Sequence, residues 1–150
     1  MKIRGFTLIE LMVALAILAI ISAVAVPLYT DYSQRTFRTE AQADLLSAAQ
    51  AVERVAAINF TYEDTADTDG NGSGDDDAGP LATDIYNPRA AAQGRYAFTI
   101  AAAAGTFTIT ATPQAGTMEN DGIMTIDEAG NRRWDRDNDG LGAGDDNWEE

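Results

Sequence analysis

From Phe6 to Val26 the chain carries a single charge, Glu10, in a stretch otherwise built almost wholly of Leu, Ile, Val, Ala and Met. About 20 such residues form a helix long enough to cross the ~30 Å hydrocarbon layer of a membrane. A helix apolar on every side has no face for water, so it must be buried in lipid or among other helices. Whatever the remaining residues fold into is tied to a segment that is insoluble by itself. A carboxylate inside such a span is costly, and Glu10 therefore marks a purpose. Lys2 and Arg4 precede the span and favour a cytoplasmic start, although Arg35 and Arg38 beyond it blunt the asymmetry. Tyr29 and Tyr32 stand where an interfacial aromatic belt belongs.

A conventional secretory signal is cut after its apolar core, where Ser22-Ala23-Val24-Ala25 offers small residues. Such a signal has no use for Glu10. The string Gly5-Phe6-Thr7-Leu8-Ile9-Glu10 behind a short basic leader resembles instead the class III signal of type IV prepilins. The resemblance implies that a prepilin peptidase cuts between Gly5 and Phe6 and that Phe6 is then methylated. It also implies that Glu10, fifth in the mature chain, pairs with a neighbouring subunit's terminal amine during assembly. The segment from Tyr29-Thr30-Asp31-Tyr32 through Ala41, Leu45, Glu53 and Arg54 is similar to the helix of the minor-pilin branch that includes the neisserial-type main pilins. The runs Phe107 to Pro113 and Gly122 to Asp127 look like strands of the same branch.

Composition removes several kinds of chemistry. With no His and no Cys, the usual general base, nucleophilic thiol and soft metal ligands are missing, which argues against zinc, haem and Ser-His or Cys-His catalysis. An enzyme is not expected. The net charge is −14, and loss of Lys2 and Arg4 with the leader takes it to −16. That sign repels nucleic-acid backbones, so no nucleic-acid partner is expected. The acids are also unevenly spread: fourteen of the 24 fall in residues 63–77 and 135–150, stretches rich in Gly and holding one basic residue, Arg136. Such density is repulsive unless a cation occupies it.

The chain organises as a leader at 1–5, a helix at 6–58 with its membrane-spanning part at 6–28, a connection at 59–94, and a sheet with a C-terminal loop at 95–150. Pro27 removes one helical hydrogen bond and should bend the helix. Beyond it Leu45, Ala48, Ala49, Val52, Val55 and Ala56 recur at three- and four-residue steps, with Glu40, Asp44, Glu53 and Arg54 in polar positions. Alternation predicts strands over 95–101, with Tyr96, Phe98 and Ile100 on one face, and over 106–112, with Phe107, Ile109 and Ala111 together. A third run at 122–127 and a short fourth around Arg132-Arg133-Trp134 complete an antiparallel meander. The expected class is α+β: a long N-terminal helix packed on a four-stranded antiparallel meander, which resembles the type IV pilin fold.

Two acidic loops follow the arithmetic of a calcium loop, with oxygen ligands at positions 1, 3 and 5, Gly at 6, a carbonyl at 7 and a carboxylate at 12. Asp135, Asp137, Asp139, Gly140, Leu141 and Asp146 fill those places in the second loop, with Asp146 where a longer Glu usually closes the site. In the first, Asp67, Asp69, Asn71, Gly72 and Ser73 fill the opening; Ala78 stands at position 12, so Asp75, Asp76 or Asp77 must close it. Ca²⁺ is the expected ion, more firmly at 135–146 than at 67–78. The opposing reading is a solvated acidic tail and a flexible Gly/Asp linker. In the branch resembled, a disulfide usually ties the strand near Asp121 to the segment near Asn147-Trp148. A cation between those points would replace that staple, with Trp134 and Trp148 anchoring its ends.

The resemblance implies a structural subunit of a type IV pilus, a homopolymer or a mixture with other pilins. It would be handled by prepilin peptidase and the inner-membrane assembly machinery. The precursor would sit in the inner membrane, leader in the cytoplasm and head in the periplasm, before moving to the extracellular filament. A pseudopilin of a type II secretion system and a calcium-dependent, adhesin-like minor pilin are the alternatives.

Overall fold

The computed structural model describes residues 6–142 and 144–149. One helix, α1 (Leu8–Asn59), runs for 52 residues and passes through Pro27 without interruption. It starts and stops within two residues of the 6–58 expected from apolar periodicity. Two compact units share it: one reaches to Arg35, and the other, the head, begins at Thr36. In the first, every residue from Phe6 to Tyr32 is exposed, as an all-apolar helix must be when taken alone.

In the head, α1 buries Ala41, Asp44, Leu45, Ala48, Ala49, Ala51 and Val52. The sheet has five strands in chain order: β1 (Ala78–Pro80), β2 (Tyr96–Ala103), β3 (Thr106–Pro113), β4 (Met124–Asp127) and β5 (Arg132–Trp134). Each pairs antiparallel with the next, β2 and β3 in full register from Tyr96↔Pro113 to Ala103↔Thr106. Tyr96, Phe98 and Ile100 of β2 and Phe107, Ile109 and Ala111 of β3 are buried, as period-two alternation requires. With Met124, Ile126 and Trp134 they form one core with the helix stripe. Each large apolar side chain buried there contributes about 1.5–3 kcal/mol.

Three differences from the sequence reading concern the head. Strand β1 lies inside the stretch expected to be a plain connection; Ala-Gly-Pro has no strand propensity, and Gly79 pairs opposite Ile100 on the sheet edge. A short helix, α2 (Arg89–Ala92), follows in the same stretch. Asp44, a polar position beside the apolar stripe, is buried: it accepts the Tyr86 hydroxyl at 2.8 Å and the Ala90 N–H at 2.8 Å, pinning this loop to α1. The helix ends with Phe60 at φ 60°, its N–H on Ala56 O at 2.8 Å. Helices usually place Gly or Asn in that left-handed position, because another L-residue costs about 1–2 kcal/mol there.

Candidate assembly and cation-binding sites

At the start of α1 the Thr7 N–H and hydroxyl both donate to Glu10 Oε2, at 2.9 and 2.7 Å. The Glu10 N–H donates back to Thr7 Oγ1 at 3.3 Å. This is a capping box, Thr-x-x-Glu, satisfying orphan donors at a helix N-terminus. The Thr-x-x-Glu spacing that signals such a cap is present in the sequence. The arrangement holds a carboxylate at the extreme end of the apolar helix, aligned with the positive end of the helix dipole. Gly5, the residue before the expected cut, lies outside the described residues.

In the second loop Asp135, Asp139 and Asp145 each bring a carboxylate oxygen within 4.8 Å of the others. Calcium–oxygen distances of 2.3–2.6 Å require about this separation for ligands sharing one ion. Asp135 is buried; it accepts the Asp139 N–H at 3.1 Å and the Gly140 N–H at 3.2 Å. Gly140, at position 6, has φ 98°, which supplies the sharp bend. The Asp139 carboxyl is held above the usual carboxylate range, first by the charge of Asp137, then by desolvation and by the charges of Asp135 and Asp145. Three of the five residues expected from spacing, Asp135, Asp137 and Asp139, are thus neighbours, and Leu141 follows the bend half-buried. Asp145 joins them in place of Asp146, which is not among the converging carboxylates. The cause is local: the Trp134 N–H bonds Asp145 O at 3.1 Å, and Asp145 Oδ2 accepts the Gly142 N–H at 2.7 Å. This turn aims the carboxylate at position 11 rather than 12.

The first loop repeats the opening geometry. Asp67 accepts N–H groups from Gly70, Asn71 and Gly72 at 2.7, 3.1 and 2.8 Å. Desolvation opposes ionisation here, but those donors prevail and hold its pKa below the ordinary value. Gly72, at position 6, has φ 93°, the counterpart of Gly140. The Asn71 side-chain amide donates to Asp69 Oδ2 at 3.0 Å and to Asp75 Oδ2 at 3.5 Å, so these three side chains meet. Ser73 donates its N–H to Asn71 Oδ1 at 2.7 Å. Of the three acids able to close the loop, Asp76 accepts from Thr68 and Asp77 from the Asp64 N–H, which leaves Asp75 facing inward. Both loops bend at the required residue, but among the described residues only the second brings three carboxylates close enough to share one ion, a donor set that fits calcium.

The C-terminal region is braced by the two tryptophans expected from the sequence and by a buried ion pair that sequence reading missed. Arg38 grips the buried Asp121 carboxylate, which also accepts the Tyr96 hydroxyl. Trp134 donates its Nε1–H to Asp121 O at 2.7 Å, and Trp148 donates to Arg133 O at 3.0 Å. Both tryptophans pack on the core. Gln42 reaches Trp148 O at 3.2 Å. No local pattern announces a partner 83 residues away, so this pair was invisible in the sequence.

Comparison with known proteins places these features. Residues 1–26 match the prokaryotic N-terminal methylation motif. Residues 27–122 match the family described as type IV minor pilin ComP, DNA uptake sequence receptor. Prepilin peptidase-dependent protein D of Escherichia coli K12 is 41% identical over 71 residues, 47% of this chain and 48% of its own length. A fimbrial protein of Pseudomonas aeruginosa is 46% identical over 50 residues, 33% of this chain and 32% of its own. The chain thus spans a third to a half of the length of these curated relatives. A solved type IV pilin from Shewanella oneidensis is 22% identical and aligns over 66% of this chain and 89% of its own, with a TM-score of 0.44. The methylation motif over the apolar helix, and the minor-pilin match over well more than half of the residues, make this chain a member of the type IV pilin family, a structural protein and not an enzyme.

Proposed function

We propose that the chain is cut after Gly5, methylated at Phe6, and polymerised through its N-terminal helix into a helical type IV pilus on the cell surface. The observation that carries this reading is the helix itself. Its most apolar stretch buries none of its residues within the chain. That surface is covered by lipid before assembly and by neighbouring helices afterwards, with Glu10 at its end for a neighbour's terminal amine. Calcium in the two loops stabilises the head by neutralising carboxylates that otherwise repel. In the second loop Asp135, Asp139 and Asp145 would hold the ion, with Asp137 beside them; in the first, Asp67, Asp69, Asn71 and Asp75.

A pseudopilin of a type II secretion system is the second reading; it shares the leader and Glu10 and is favoured by the cation loop lying near the C-terminus. A calcium-dependent adhesin-like role would use the same loops at the filament surface. The DNA-uptake part of the matched family's description does not carry over on charge. The chain is acidic overall, Arg38 and Arg95 are paired with Asp121 and Glu40, and Arg132 and Arg136 lie over Trp148 and Trp134. The test is electron microscopy and peptide identification of filaments sheared from cells that make the chain, against cells that do not. Filaments composed of it support the pilus; a periplasmic product that builds no surface filament points to the secretion reading.

A further inference from the structure

Two Asn-x-Ser/Thr triplets stand in the chain, Asn59-Phe60-Thr61 and Asn71-Gly72-Ser73. Such a triplet, with any residue but Pro in the middle, is the acceptor for N-linked sugar where it lies on a surface segment of an exported protein. The motif recurs by chance, so the surroundings of each triplet decide. At the second, the acceptor nitrogen is already engaged. The Asn71 amide donates to Asp69 Oδ2 at 3.0 Å and to Asp75 Oδ2 at 3.5 Å, and its oxygen accepts the Ser73 N–H at 2.7 Å. A sugar on that nitrogen would break the turn on which the first acidic loop depends.

Asn59 is placed differently. It is the last residue of α1 and exposed, and its side-chain amide has no partner among the described residues. Phe60 then leaves the helix with φ 60°, so the triplet straddles a bend instead of lying along a regular helix. Thr61 Oγ1 donates to Glu63 Oε2 at 3.1 Å and accepts the Glu63 N–H at 3.1 Å. Both bonds reach only two residues on, and they can open without disturbing helix or sheet. Thr61 also lines a surface hollow of about 290 Å³. None of the three residues belongs to the core. A second observation concerns the flanks of Asn59. Ile58 is 77% exposed and Phe60 91%, the large, openly exposed apolar side chains among the described residues of the head. A bulky hydrophilic group rooted between them would shield both from other surfaces.

We infer that Asn59 carries an N-linked glycan, added by a membrane oligosaccharyl transferase from a polyprenyl-diphosphate-linked oligosaccharide. The inference rests on the reading that the head leaves the cytoplasm. In the transfer, Asn59 Nδ2 forms a bond to C1 of the first sugar, and the bond from C1 to the diphosphate oxygen breaks. The polyprenyl diphosphate leaves with the bonding electron pair, and one amide proton passes to solvent. Nothing is oxidised or reduced. The Thr61 hydroxyl is the part of the triplet that Ser can replace and Val, though similar in shape, cannot.

Mass spectrometry of the full chain, purified from the membranes and sheared filaments of cells that make it, tests the proposal. Digestion after arginine separates residues 55–89, which hold both triplets, from the peptide that contains Phe6. The 55–89 peptide should carry a sugar mass, which fragmentation places on Asn59 and not on Asn71. Asn59→Gln and Thr61→Val should each abolish it, while Thr61→Ser and Asn71→Gln keep it. The comparison of Thr61→Val with Thr61→Ser holds even if Asn59→Gln is poorly made. Sugar that persists in Thr61→Val or Asn59→Gln would overturn the proposal. Protease added to spheroplasts separates the two readings. A bare 55–89 peptide from a chain whose head is digested from outside would overturn the glycan alone. A head protected from that protease would overturn the exported reading, and the glycan with it.

Discussion

Arg38 in α1 meets Asp121 through Nε at 3.0 Å from Oδ1 and 3.1 Å from Oδ2, with Nη2 on Oδ1 as well. The Asp121 side chain is 1% exposed and that of Arg38 12%. The next residue, Gly122, has φ 83°, and a Cβ there would collide with Asp135 O. One buried acid thus joins the helix, the β2 tyrosine and the entrance to the second acidic loop.

Replacing Arg38 with Met should destabilise the head by about 3–5 kcal/mol, because it strands a buried carboxylate. Asp121→Asn should cost less, since the amide keeps a hydrogen-bonding group beside Tyr96 and removes the charge. Denaturant unfolding of the detergent-solubilised chain measures both. Equal, small losses in the two variants would mean that the pair is not buried in solution.

Tyr96 gives the head an alkaline limit. Burial, followed by the hydrogen bond and charge of Asp121, pushes its hydroxyl well above the ordinary value of 10, with Arg38 opposing. The unfolded chain therefore releases this proton first. The contribution is whole below pH ~10 and falls by about 1.4 kcal/mol per pH unit above it. Tyr62 and Tyr86 are raised too, each chiefly by desolvation, and steepen the slope. Tyr96→Phe should be less stable at neutral pH yet show a shallower alkaline decline. A decline as steep as the parent's would remove Tyr96 from this role.

The helix, β2 and β3 were legible because each obeys a local period, 3.6 for the Leu45–Val52 stripe and two for Tyr96-Phe98-Ile100 and Phe107-Ile109-Ala111, while β4, buried at three successive residues, and β5 were legible as short runs on either side of a turn. Strand β1 was not, since Ala78, Gly79 and Pro80 pair only because β2 presents an open edge. The acidic loops declared their first residues through spacing, and their Gly bends at 72 and 140 have the expected sign of φ. Asp145 could not be told from Asp146 by counting, because a turn at Gly142 decides which one points inward. Arg38 and Asp121 are ordinary polar residues in sequence; only the fold makes them partners.

Calcium should raise the melting temperature of the full chain relative to chelator. A ligand bound only by the folded state adds RT ln(1 + [L]/Kd), about 2.7 kcal/mol at a hundredfold excess over Kd. Asp139 fixes the pH dependence. Its raised pKa means that, in chelator, the contribution of that acid is whole below the carboxylate range and lost as pH rises through it. The calcium-linked gain should therefore open over the same window. Curves that coincide with and without calcium at neutral pH would remove both cation sites.

Substitution separates the loops. Asp137→Ala relieves the largest repulsion on Asp139 in chelator, so it should be nearly neutral there and lose most of the calcium-linked gain. Proteolysis of this variant in calcium should cut within 135–149. Asp69→Ala should instead open the first half of the 59–94 stretch, whose second half remains held by the β1 edge and by Asp44. The same cleavage map for both variants would contradict this division.

Glu10→Ala should insert in the membrane at least as well as the parent, since it removes a charge from the span. It should nonetheless fail to build filaments, because a neighbour's amine loses its partner. Normal filament yield from this variant would exclude Glu10 from assembly.

Intact-mass measurement of the subunit in sheared surface filaments tests the central claim most directly. The account predicts a chain that begins at Phe6 and carries one added methyl group. A filament subunit that retains Met1–Gly5, or filaments that lack this chain, would contradict it.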